Sequence, residues 1–171
     1  KVGADQFGRR LIRTLEDAGI GTRGVVSDPE CFTTLAFVTL QNGERSFSFA
    51  RKPGADARLR FEELDLSLID GARAFHFGTL SLTRDPAREA TRRAAAYARE
   101  KGKLITFDPN LRLPLWDSGD RARREILWGL DQADVVKISD EEVAFLWDCS
   151  PEEGARRLLE DHGVRLAMVT L

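Results

Sequence analysis

Four short apolar runs separated by helical patterns constrain this chain more than any other feature it has. Residues 72 to 77 (Ala-Arg-Ala-Phe-His-Phe), 103 to 107 (Lys-Leu-Ile-Thr-Phe), 134 to 138 (Asp-Val-Val-Lys-Ile) and 165 to 171 read as strands. Between them, Ala87, Ala90, Ala94, Tyr97 and Ala98 mark one helix after Pro86, and Ala122, Ile126, Leu127 and Leu130 mark another. Strand, helix, strand at this spacing implies right-handed crossovers and a parallel sheet covered on both faces. The predicted class is α/β.

Upstream of that alternation, Phe7, Leu11, Ile12, Leu15 and Ala18 recur at helical spacing after an Asp5 N-cap, with Gly19 placed to end the helix. Residues 33 to 40 and 44 to 51 read as two strands joined by Asn42-Gly43, a pair suited to a type I′ hairpin turn. That turn would set Val38 opposite Phe47 and Thr34 opposite Arg51. Capping boxes announce two further helices, Ser139 with Glu142 and Ser150 with Glu153, the second with Pro151 at its first position. The chain opens on a helix and stops at Leu171 within an apolar strand, so it is expected to be cut at both ends.

Composition narrows the function. With 171 residues, 42% hydrophobic and 32% charged, the chain can bury one core. Its 26 basic and 28 acidic residues are mixed along the sequence and leave no strong field for nucleic acid or an anionic membrane. A small soluble partner is the expectation. Cys31 and Cys149 are the only cysteines and follow no metal-ligand or CxxC spacing, which fits a reducing cytoplasm. No apolar run approaches membrane-spanning length.

Gly19-Ile20-Gly21-Thr22-Arg23-Gly24 matches GxGxxG, yet its glycines follow a helix and precede a strand-like Val25-Val26. A helix C-cap and loop accounts for them better than a dinucleotide site. There is no GxxxxGK[ST], which removes the P-loop enzymes. His76, between Phe75 and Phe77, reads as a satisfied core residue.

Asp108-Pro109-Asn110-Leu111-Arg112 begins where the run Leu104 to Phe107 ends, at the carboxyl edge of a parallel strand, where open sheets bind ligands. Asn110 can donate to a phosphate or hydroxyl, and Arg112 offers a planar fork suited to phosphate oxygens. An Asx-type turn with a solvated Arg112 is the alternative. Lys137-Ile138-Ser139-Asp140-Glu141-Glu142 sits at the end of the next strand and opens on the same edge. Lys137 could offset phosphate charge; Glu142 could hold a hydrated Mg²⁺ or its water, or simply cap the helix with Ser139.

Together with Val2-Gly3-Ala4-Asp5-Gln6-Phe7-Gly8, Gly43-Glu44-Arg45-Ser46-Phe47 with Arg51, and Phe75-His76-Phe77-Gly78, these segments resemble the ribokinase-like (PfkB) carbohydrate kinases, and among them the fructokinases. The likeness runs in order across essentially the whole chain and takes in Leu113-Pro114-Leu115-Trp116. It implies a Rossmann-like α/β domain with part of a small β-sheet lid at about residues 24 to 51 and the core at 61 to 171. It further implies ATP-dependent phosphorylation of a sugar's primary hydroxyl, with Mg²⁺ shielding the phosphates. A monovalent cation and a homodimer are compatible with it.

By motif match, Arg51, Asp108 and Asn110 would bind the sugar, Arg112, Lys137 and Ser139 the phosphates or ATP, and Glu142 the metal through water. Ser139 stands where many members have asparagine. The family's Gly-Ala-Gly-Asp segment, whose aspartate is the general base, is expected beyond Leu171, and Pro53-Gly54-Ala55-Asp56 does not replace it because it follows a lid strand. This polypeptide alone is therefore expected to be inactive. Three other readings stand beside the fructokinase one: a 2-keto-3-deoxygluconate kinase, a catalytically silent kinase-like interaction module, and a dinucleotide-dependent enzyme.

Overall fold

A computed structural model describes residues 1–41, 44–52 and 54–171. The chain forms two compact units, Lys1–Asp65 with Arg84–Ala90, and Leu66–Thr83 with Thr91–Leu171. In the first unit, β1 (Val2–Gly3) pairs in parallel with β2 (Ser27–Asp28), flanking α1 (Gln6–Asp17). Asp5 caps α1 as expected, its Oδ1 accepting the Gly8 amide at 2.8 Å. Gly19 follows the helix with φ of 73°, a left-handed conformation that glycine adopts without steric cost. The strand expected at Val25-Val26 lies two residues later, at β2.

The expected hairpin is β3 (Leu35–Gln41) against β4 (Glu44–Ala50), antiparallel, with Val38 opposite Phe47 as the sequence predicts. The Asn42-Gly43 turn lies outside the described residues. The ribbon's Phe47 and Phe49 rings stack at 6.3 Å, and Phe37, Val38 and Leu40 stay exposed.

The second unit holds a four-stranded parallel sheet in the order β5 (Ala74–Gly78), β6 (Leu104–Asp108), β7 (Val135–Ser139), β8 (Leu166–Thr170). All four predicted runs are strands, each within one or two residues of its expected limits. The helices are α2 (Leu66–Gly71), α3 (Ala87–Glu100), which starts in the first unit, α4 (Gly119–Gln132), α5 (Asp140–Trp147) and α6 (Pro151–Glu160). Alternation along the strands fixes the core. Phe77, Ile105, Phe107, Val136 and Ile138 point to one face and are buried beneath Ala122, Ile126 and Leu130 of α4, Val143 of α5 and Leu158 of α6. The Ala122, Ile126, Leu130 series repeats every four residues, the stripe a helix needs to lie on a sheet. Gly129 lets α4 approach closely, since a Cβ there would stand 2.4 Å from the Phe107 ring.

The opposite sheet face behaves differently. Leu104, Leu166 and Met168 are exposed on it, and so is His76. The expectation of a core histidine is thus corrected: Phe75 and Phe77 take the packed side, and the two-residue period of the strand turns His76 the other way. There its Nδ1 meets Thr106 Oγ1 at 2.8 Å. Of the two capping boxes, Ser139/Glu142 is complete, whereas Ser150 accepts the Glu153 amide while the Glu153 carboxylate turns to Arg156 and Arg157.

Candidate active site

The carboxyl edge of the parallel sheet gathers six of the seven predicted site residues. Parallel pairing sets Gly78 beside Asp108 and carries β7 forward so that Lys137 reaches the same edge. The first two strand ends are clamped together: Thr79, fully buried, donates to Pro109 O from both its backbone N, at 3.2 Å, and its Oγ1, at 2.5 Å. Gly78 is required for this approach, because a Cβ there would lie 2.7 Å from Asp108 O.

Asp108 is the least satisfied acid of the edge. Its Oδ2 stands 3.4 Å from Lys137 Nζ, while its Oδ1 is buried with no hydrogen-bond partner. A buried polar atom without a partner costs roughly 1–3 kcal/mol and persists where a function needs it. Past Pro109 the chain turns through Asn110, whose φ of 46° is left-handed, a conformation asparagine tolerates better than most residues, and whose side chain is exposed. Arg112 is half-buried and donates from Nη1 to Leu111 O at 2.9 Å.

Glu142 joins this loop to the next strand end. Its side chain is only 7% exposed, and each carboxylate oxygen accepts a main-chain N–H: Oε1 from Leu111 at 2.6 Å and Oε2 from Ser139 at 3.0 Å. Ser139 Oγ accepts the Glu142 amide at 3.2 Å, completing the reciprocal cap of α5. No group of three or more His, Cys, Asp or Glu side chains is arranged to hold a metal among the described residues. With both oxygens engaged, Glu142 does not fit a direct magnesium ligand, and only its remaining lone pairs could meet a metal-bound water.

Arg51, the seventh residue, belongs to the first unit. Its guanidinium is 7% exposed and pairs with Asp56 Oδ2 through Nη2 at 2.5 Å and Nε at 2.8 Å. Asp56 Oδ1 is held in turn by Thr34 Oγ1. Asp56 therefore anchors an arginine, in a turn Ala55–Arg58 rather than at the start of a long helix.

Sequence reasoning missed Thr79 and the bond between Leu111 and Glu142. A threonine directly after the Phe-Gly end of a strand was a faint signal for the first. Nothing in the sequence signals the second, because its donor is a main-chain amide.

The fold is an α/β unit whose parallel sheet gathers polar and charged side chains at its carboxyl edge, where open sheets of this kind bind ligands. Residues 1–171 match the model of the pfkB family carbohydrate kinases, and the chain belongs to that family. It is 50% identical over 147 residues to a probable chloroplastic fructokinase-6 of Arabidopsis thaliana, covering 85% of this chain and 38% of the relative. It is 46% identical over 173 residues to fructokinase-1 of Zea mays, covering 100% and 54%. Among solved structures, fructokinase from Xylella fastidiosa with bound ATP superposes with a TM-score of 0.87 at 34% identity, covering 99% of this chain and 53% of that one. Fructokinase from Vibrio cholerae O395 with fructose, ADP and calcium bound gives 0.86 at 32%, covering 99% and 55%. The chain thus spans about half the length of the relatives it matches, and its architecture is that of the ribokinase-like α/β kinases.

Proposed function

We propose that the full-length protein transfers the γ-phosphoryl group of ATP to a primary hydroxyl of fructose. Family membership, the fructokinase relatives and a neighbouring structure holding fructose and ADP support this reading. The observation that carries it in this chain is Asp108, a strand-end carboxylate with one oxygen beside Lys137 and the other buried and unpartnered. Such an oxygen suits a sugar hydroxyl donor, and the neighbouring ammonium tempers the charge brought by phosphate. Asn110 presents its exposed amide to the same substrate, and Arg112 its fork to the phosphoryl oxygens. Ser139 at the α5 N-terminus offers a further contact for anionic oxygens. Arg51 is proposed as a sugar contact on the strength of the resemblance alone, with β3 and β4 as part of a lid.

In the transfer, the hydroxyl proton passes to a general-base aspartate, the sugar oxygen bonds to the γ-phosphorus, and the bond to ADP breaks. That aspartate is assigned to a Gly-Ala-Gly-Asp segment outside these residues, so residues 1–171 alone should not turn over. Magnesium is taken to enter with the nucleotide as part of the substrate, a cytoplasmic setting is proposed for the reaction, and a homodimer is compatible with it.

Assaying the full-length protein with ATP and Mg²⁺ against fructose and 2-keto-3-deoxygluconate tests the reading. Fructose should give fructose 6-phosphate. Phosphorylation of the keto acid alone would overturn the substrate, and turnover of neither would overturn the reaction.

A further inference from the structure

Glu142 sits where a carboxylate could serve a metal, yet its geometry serves the main chain. Two amides 28 positions apart in sequence meet on it: Leu111, in the loop after β6, and Ser139, at the end of β7. The side chain is 7% exposed, so water cannot readily replace either bond. Leu111 lies between Asn110, in its left-handed conformation, and Arg112. Whatever fixes the Leu111 amide therefore fixes the course of the loop that presents both side chains.

We propose that Glu142 is a positioning residue: by bridging the Leu111 and Ser139 amides it sets where Asn110 and Arg112 are held against the end of β7. The capping bond to Ser139 would exist in any helix that starts this way; the bond to Leu111 has no place in a cap and joins two adjacent strand ends. The consequence for kinetics rests on the kinase reading above, whereas the consequence for the backbone does not.

The discriminating comparison is Glu142→Gln with Glu142→Asp in the full-length protein. Gln keeps the length and one acceptor oxygen but turns an N–H₂ toward one of the two amides; Asp keeps the charge but loses reach. Positioning predicts faster hydrogen exchange at the Leu111 or Ser139 amide in both variants, with strand amides of β6 and β7 unchanged. It also predicts a rise of about tenfold in the KM for ATP, no shift in the Mg²⁺ concentration giving half-maximal rate, and Asp no milder than Gln. A metal-holding role predicts the reverse: protected amides, a shifted Mg²⁺ requirement, and rescue by Asp. That pattern, or unchanged exchange at both amides, overturns the proposal. If the wild-type protein phosphorylates nothing, the kinase reading fails, and amide exchange alone still decides the role of Glu142.

Discussion

The carboxylates of the two units are used in opposite ways. In the first unit Asp28 is 2% exposed and saturated: Oδ1 accepts the amides of Glu30 and Cys31 at 2.9 and 3.1 Å, and Oδ2 faces Lys1 Nζ at 3.3 Å and Arg58 Nε at 3.1 Å. Asp5 is equally occupied, taking the Gly8 amide together with the amide and hydroxyl of Thr33. In the second unit Asp108 has one cation and one buried oxygen with nothing to accept from. An acid that holds a fold together is surrounded by donors before any ligand arrives. On the proposed reading Asp108 is left incomplete for a substrate hydroxyl, and the local cost is met by the packing around it.

Exchanging the side chains tests this contrast. Asp108→Asn should lower kcat/KM of the full-length protein by roughly a hundredfold, the scale for losing a polar group aimed at the reacting partners, while the melting temperature changes little. A large loss of stability with intact turnover would move Asp108 into the class of Asp28. Asp28→Ala should do the opposite. It leaves two amides without an acceptor, while Lys1 and Arg58 keep Glu63 and Glu30 as partners, and should cost roughly 1–3 kcal/mol in denaturant unfolding, with turnover per folded molecule unchanged.

Acid should erode the stability that the saturated class contributes. The Glu30 amide, helped by Lys1 and Arg58, holds the Asp28 carboxyl below its usual 3.8, and the Thr33 and Gly8 amides do the same for Asp5. Because the folded value is depressed, the stability each contributes is complete above the unfolded pKa and is lost as pH falls through the folded one. Thermal melts below about pH 4 should therefore fall less steeply for Asp28→Asn than for the native chain. Equal slopes would remove Asp28 from the acid response. The smallest effect separates backbone from side chain within the site. Asn110→Ala should cost about 1 kcal/mol for its left-handed φ, and Asn110→Gly should restore that stability without restoring any lost affinity for sugar.

Much of the second unit was legible because periodicity reports burial. The runs ending at Phe77, Phe107 and Ile138 are strands, and the Ala122, Ile126, Leu130 stripe lies on them. Val38 opposite Phe47 followed from the hydrophobic pattern and the proposed turn. Local bonds were equally readable: Asp5 to Gly8 and Ser139 to Glu142 each span three residues. What stayed hidden involves partners remote in sequence or lacking a side-chain signature, such as Leu111 N on Glu142 and the two-residue pairing of β1 with β2. His76 was misread because flanking phenylalanines suggest burial, whereas alternation sends the residue between them to the other side. The saturation of Asp28 and the pairing of Arg51 with Asp56 depend on how loops return, which composition does not encode.

Because the strands of the second unit lie side by side in the order of synthesis, the contacts that build its edge have nearly one length. Thr79 to Pro109 spans 30 residues and Leu111 to Glu142 spans 31. Each is the closure of a single strand–helix–strand loop, so neither of these two contacts waits on β8. Each such closure is non-local and must meet its loop entropy before the contact rewards it, which makes parallel pairing slow, but the closures can be met one at a time. The edge should accordingly grow one strand at a time, with the clamp on Pro109 able to form before β7 arrives and the Glu142 bridge added when it does.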